Sequence, residues 1–175
     1  NETIEEKKTG IKKAENIKIH KELGIDAYIP STYIENGEKV EIYQRILDCK
    51  TFEDLEKEKN SIRDIYGPTP NTTELLFLKR KLDIYLEKEE FKDLNEFEDH
   101  VTLILSTKFS DLEGIGTALF TSLIAYLKDI KMAFIEKEVN INIKKRGDWV
   151  DLLLKICGIV DNLYVSTKKV KTNEN

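Results

Sequence analysis

Two histidines and two cysteines are all that 175 residues offer to soft-metal or thiol chemistry. Cys49 and Cys157 are far apart, each sits in a helix-like pattern, and neither belongs to a CxxC. A disulfide framework is therefore excluded, and a reducing compartment fits. A zinc site needs about four ligands at workable spacing, and no such set occurs. Basic charge is also short: the net charge is −5 and the pI about 5.3. Binding DNA through its phosphates calls for a basic face, so a net acidic chain starts badly for that role. No apolar run approaches the roughly 18 residues of a membrane span, no Walker A sequence occurs, and no signal-peptide pattern opens the chain. The plain expectation is a cytoplasmic domain with no membrane contact, and Asn1 in place of Met suggests a piece of a longer protein.

What the chain does have is a core. Forty per cent of its residues are hydrophobic, enough to pack one domain. Residues 1–16, rich in Lys and Glu, read as a linker or arm, and Ile17-Lys18-Ile19-His20 as a short strand. Gly24 to Ile34 reads as extended chain laid on the core, because Pro30 holds Ile29 out of helical geometry. Three helices follow. The first runs from about Glu38 to Asp48, with Val40, Tyr43, Ile46 and Leu47 on its apolar face. The second is capped by Thr51 and closed by Gly67-Pro68, with Leu55, Ile62, Ile65 and Tyr66 apolar. The third starts after Pro70-Asn71 with a stripe of Leu75, Leu78, Leu82, Tyr85 and Leu86. Short loops make the three antiparallel neighbours.

Beyond Leu86 the periodicity changes. Phe91 to Phe97 and His100 to Leu105 predict one hairpin, Lys131 to Glu136 and Val139 to Lys144 another. A helix is expected over Leu112 to Leu127 and a last one from Trp149, with a seam through Leu153, Ile156, Val160 and Leu163. The expected fold class is α+β: N-terminal antiparallel helices followed by two β-hairpins alternating with helices. The expected organisation is an arm over 1–16, one domain over 17–166 and a disordered tail over 167–175.

Candidate chemistry is thin. Gly114-Ile115-Gly116 is half of a dinucleotide fingerprint, in a helical pattern with no strand leading into it, and reads as close packing or a late helix start. His20 and His100 have no sequence neighbours that would make them catalytic. Glu87, Glu89, Glu90, Asp93, Glu96, Glu98 and Asp99 read as a solvated surface, with paired acid–base carboxylates as the alternative. The basic clusters Lys7/Lys8/Lys12/Lys13, Lys144/Lys145/Arg146 and Lys168/Lys169/Lys171 read as turns and tails. Asp64 is more informative. It lies in the last turn of the second helix, where the dipole disfavours an acid by about 0.3–1 kcal/mol, and Lys57 and Asn60 share its face. Either it is exposed or paired locally with Arg63 or Lys57, or the face meets a positively charged partner.

Several motifs in order give a resemblance. Asp26-Ala27-Tyr28-Ile29-Pro30, Tyr33-Ile34, Glu41-Ile42-Tyr43-Gln44-Arg45-Ile46, Thr51 to Leu55, and Asp64-Ile65-Tyr66-Gly67-Pro68-Thr69-Pro70 resemble the C-terminal domain of the bacterial transcription-repair coupling factors, the Mfd family. Ile65 stands where that family often carries Arg. The likeness runs from about residue 25 to about 86. It implies a non-catalytic, autoinhibitory domain that packs on a UvrB-like N-terminal region of its own protein and masks the UvrA-binding surface until RNA polymerase is engaged. It further implies a parent that is an ATP-driven translocase on double-stranded DNA, with ATP bound elsewhere and no cofactor in this domain. On that reading Lys57, Asn60, Ser61 and Asp64 form the interface. The competing readings are a small-molecule enzyme whose site is assembled from distant residues, and a weak DNA-binding module using the basic ends.

Overall fold

The computed structural model describes residues 23–173, so the arm, the strand signal at Ile17–His20 and the first lysine cluster lie outside it. The described chain forms two compact units, Leu23–Ile84 and a second from Tyr85 onward, where the sequence suggests one domain over 17–166.

The first unit holds α1 (Asn36–Asp48), α2 (Phe52–Tyr66) and most of α3 (Asn71–Leu86). Thr51 caps α2 as its sequence demands, its hydroxyl accepting from the Asp54 amide at 3.0 Å. Gly67, at φ +88°, ends α2 with its amide bonded to the Arg63 carbonyl. The segment before α1 is extended and pinned to the helices. The Ile29 amide donates to the Tyr43 hydroxyl (2.8 Å), the Tyr33 hydroxyl to the Gly67 carbonyl (2.7 Å) and the Tyr28 amide to the Thr72 carbonyl (3.1 Å). These bonds satisfy backbone groups that the buried, non-helical chain would otherwise orphan. They aim Ile29 and Ile34 into a core made with Ile42, Ile46, Leu55, Ile62, Phe77 and Ile84.

The buried face of α1 keeps Ile46 and part of Tyr43 from the expected one but turns on Ile42 and excludes Val40 and Leu47. Ile42 and Ile46 are buried, while Val40 is 78% exposed and Leu47 is also exposed. The i, i+4 pair Ile42/Ile46 sets the inward direction, and Val40 lies on the other side of the helix. Ile65 of α2 is likewise 65% exposed. In α3 burial reaches beyond one stripe. Phe77, Leu82, Ile84 and Leu86 are buried together with Arg80 and Asp83. Arg80 is tolerated there because its guanidinium donates to the Cys49 carbonyl at the end of α1 (2.8 and 3.2 Å) and lies 3.8 Å from Asp83.

The second unit is a four-stranded antiparallel sheet with helices on its apolar face. Its strands are β1 (Phe91–Glu96), β2 (His100–Leu105), β3 (Ile130–Ile135) and β4 (Glu138–Lys144), in spatial order β1-β2-β4-β3. Both hairpins fall where alternation placed them. The β2–β4 pairing joins them, with Val101 opposite Ile143 and Leu103 opposite Ile141, all buried. The helices here are α4 (Thr107–Ser110), α5 (Ile115–Leu123) with a 3-10 turn over Ile124–Tyr126, and α6 (Trp149–Asn173). The helix expected over Leu112 to Leu127 is therefore shorter and broken. Gly114 takes φ +78° and starts α5 late, a conformation glycine adopts without the Cβ penalty. The seam of α6 is buried at Leu153, Ile156, Cys157 and Val160. The helix runs on to Asn173, so the disordered tail expected from 167 does not begin there. Tyr164 and Lys168, both bonded to Glu89, hold that last stretch. The α+β class stands.

These faces can be tested by urea denaturation. Ile42→Ala should cost about 2–5 kcal/mol and Thr51→Ala about 1 kcal/mol. Val40→Ser should stay within about 0.5 kcal/mol; a large loss at Val40 would restore the face predicted from sequence.

Candidate interaction face

On α2 the spacing of Lys57, Asn60, Ser61 and Asp64 is i, i+3, i+4 and i+7, one stripe of the helix. Leu55 and Ile62 face the core from the same helix, which turns this stripe outward. Lys57, Asn60 and Asp64 are exposed and Ser61 is half-buried. Among the described residues none of the four makes a side-chain hydrogen bond or ion pair.

Asp64 stays open because the nearby cations are held elsewhere. Arg63 donates to Glu74 at 2.7 Å and to the Thr69 hydroxyl at 3.3 Å, and Lys59 reaches Glu74 at 2.6 Å. Thr69 also donates to Glu74. Partial burial works to raise the Glu74 carboxyl, but the bonds from Lys59, Thr69 and Arg63 outweigh it and hold it below the ordinary range. Arg45 is taken by Glu58 at 2.8 Å. The local Asp64–Arg63 pair is therefore not formed.

Beside the stripe, α1 and α2 enclose a groove of about 460 Å³ lined by Arg45, Asp48, Cys49, Asp54, Lys57, Glu58 and Ser61. With Arg45 on Glu58, the charged groups left on its walls are the carboxylates of Asp48 and Asp54 and the ammonium of Lys57. Asp48 accepts from Gln44 at 2.8 Å. Cys49 donates its thiol to the Arg45 carbonyl at 3.3 Å, and burial pushes it up, away from the thiolate form. The arrangement suits polar contact with cationic side chains and offers no nucleophile.

Other sequence candidates are placed as follows. His20 lies outside the described residues. His100 sits at the β1–β2 turn, Nδ1 at 2.6 Å from Asp99 and the ring stacked on Phe97 at 4.6 Å; the His100 bond holds Asp99 below its usual range. The basic clusters near the sheet are largely occupied. Lys145 binds Glu96 (2.8 Å), Arg146 binds Asp129 (2.6 Å) and Lys168 binds Glu89 (2.7 Å), which leaves less free charge for phosphates. Gly114 and Gly116 mark a helix start. Among the described residues no group of three or more His, Cys, Asp or Glu could hold a metal ion.

The acidic stretch holds one exception to a solvated surface. Glu90 is only 2% exposed, and its Oε1 meets no donor. Burial, then the neighbouring Asp161, pushes its carboxyl up to about 7. A protonated Glu90 can donate to Asp161, and Lys88 lies 3.6 Å from Asp161. A shallow cavity of about 560 Å³ opens there between the Lys88–Glu90 turn and α6. Next to it, exposed Glu89 gathers Lys168, Tyr164 and Lys108 and is lowered to about 2. Sequence reasoning missed the Glu90–Asp161 pair because 71 residues separate them; only the register of α6 on the sheet brings them together.

The comparisons agree with the motifs. A family model of the TRCF domain matches residues 23–113. The transcription-repair-coupling factor of Bacillus subtilis is 30% identical over 158 residues, covering 87% of this chain and 13% of that protein. That of Staphylococcus haemolyticus is 27% identical over 155 residues, with the same coverage. The chain thus spans about 13% of the length of these curated relatives. The crystal structure of a C-terminal domain of transcription-repair coupling factor superposes with a TM-score of 0.66 at 21% identity, over 85% of this chain and 92% of that one, which shows a shared fold.

Glu90 yields a signed pH dependence. Its folded value lies above the ordinary 4.5, so the native state keeps a proton that the unfolded chain releases. Stability should fall as pH rises from about 4.5 to about 7, by at most about 3 kcal/mol, then level off for this group. Glu89 acts in the opposite sense and below that window. Denaturation midpoints between pH 4.5 and 8 should show the fall in the parent chain and a flatter profile in Glu90→Gln; equal slopes would remove the buried pair from the account.

Proposed function

This chain belongs to the TRCF domain family, and from that premise we propose that it is the autoinhibitory domain of a transcription-repair coupling factor. It packs on a UvrB-like N-terminal region of the same protein and covers the surface that UvrA would bind. Engagement of RNA polymerase releases it. ATP hydrolysis and tracking on double-stranded DNA belong, on this reading, to the rest of the longer protein, and the domain itself does no chemistry.

The observation that carries the reading is the stripe Lys57, Asn60, Ser61 and Asp64. It is outward-facing, without intramolecular partners among the described residues, and deprived of its nearest cation because Arg63 is committed to Glu74. An acidic group left open at a helix C-terminus is locally unfavourable, and a cationic partner relieves it. A releasable clamp also favours polar contacts that exchange readily with water over a large apolar patch.

The test is Asp64→Arg in a full-length coupling factor that carries this domain. Charge reversal should weaken the clamp and raise UvrA affinity by roughly tenfold, equivalent to about 1.4 kcal/mol, with Asp64→Asn intermediate. Because Asp64 is exposed, the substituted domain should keep its stability within about 0.5 kcal/mol. Unchanged UvrA binding with a folded domain would sink the assignment of this face.

A further inference from the structure

In the second unit a buried carboxyl oxygen goes without a donor beside an open cavity. Glu90 is 2% exposed, and among the described residues its Oε1 has no hydrogen-bond partner. Glu90 also lines the cavity of about 560 Å³ between the Lys88–Glu90 turn and the end of α6, a volume within the range of small-molecule sites. Buried polar atoms are nearly always paired, so an open one calls for an explanation.

The groups that face Glu90 are few. Asp161 and Cys157 reach it from α6, and Lys88 from the turn. Tyr85, at the end of α3, faces Cys157 and Asp161. Burial pushes the Cys157 thiol and the Tyr85 hydroxyl up, so neither carries charge. The Lys88 ammonium stands 3.6 Å from Asp161, beyond the roughly 2.7–2.9 Å of a charge-assisted bond. Lys168 is held by Glu89 at 2.7 Å, and Lys169 is exposed. Two carboxyls thus meet with one distant cation between them. A proton on Glu90 balances that charge, and a second cation would balance it equally. Val165, 43% exposed, gives the cavity an apolar wall. A metal ion is a poor guest, since no group of three or more His, Cys, Asp or Glu among the described residues could hold one. An ammonium brings three donors and needs no such cage.

We propose that this cavity is a binding site for a small primary alkylammonium ion, its nitrogen between the carboxyls of Glu90 and Asp161 and its stem along Val165. Entry of the ammonium releases the Glu90 proton to solvent. Before binding, neutral Glu90, anionic Asp161 and cationic Lys88 sum to zero. Afterwards two carboxylates face Lys88 and the ammonium, and the sum is zero again. The exchange therefore leaves no unpaired charge in a half-buried place. The site shares no residue with the α2 stripe and does not rest on the autoinhibitory reading.

Calorimetric titration of the 175-residue chain with n-butylammonium chloride, in buffers of different ionisation enthalpy, tests it. The Glu90 carboxyl lies at about 7. Affinity should therefore fall towards about tenfold per pH unit below that value and level off above it. About one proton should leave per amine bound at about pH 5.5, and almost none at about pH 8.5. Glu90→Gln should abolish the proton release and weaken binding at least about tenfold. Glu113→Gln, which removes an exposed acid outside the cavity, should change neither. No binding up to about 100 mM amine would overturn the proposal. So would binding without proton release at the lower pH, a count read on the parent chain even should Glu90→Gln fail to fold. An affinity that a folded Glu90→Gln leaves unchanged would overturn it as well.

Discussion

The Glu74 carboxylate decides what the first unit presents to its surroundings. It binds Lys59 and Arg63 and accepts from Thr69, joining α2 to the start of α3. Exposed ion pairs add little stability singly, but this one sits on a half-buried carboxylate with three donors. Its larger consequence lies on α2 itself. With Arg63 committed to Glu74, Asp64 has no cation within the unit. The helix thus commits Lys59 and Arg63 to holding the fold and leaves its last acid open. The same division recurs at Arg45, which is committed to Glu58 while Asp48 and Asp54 line the groove.

In the second unit charge placement has a different result. Glu89 gathers three donors at the surface, while Glu90, one residue on, is buried beside Asp161. Adjacent carboxylates are thereby driven in opposite directions, one well below and one well above the ordinary range. Glu90 lies one residue before β1, outside its alternation, and is buried together with Phe91. The cost of the buried acid is met by keeping it protonated.

Much of the fold was legible in the sequence because local signals were strong. Thr51, Gly67 and Pro70 fixed the ends of α2 and the start of α3, and alternation placed both hairpins. Where several faces of an element were apolar, periodicity chose badly. Ile46 was expected in the core and lies there, but Val40 and Ile65 also looked like core residues, and packing turned Ile42 inward in place of Val40. The late helix start at Gly114 was one of the two readings the glycine pair offered, whereas nothing in the sequence marked the change to a 3-10 turn at Ile124. Long-range facts were out of reach: the β2–β4 pairing that makes one sheet, the Glu90–Asp161 contact, and the commitment of Arg63 to Glu74. The α2 stripe itself could be drawn from helical spacing, but its lack of partners could be seen only once Arg63 had been placed.

The central claim is that this domain restrains the protein that carries it. The most direct measurement is the affinity of UvrA for a full-length coupling factor with and without residues 20–175. Tighter binding after the deletion is the predicted result, because the covered surface is then open. Equal affinity would contradict the account, leaving membership of the family intact and removing the autoinhibitory role.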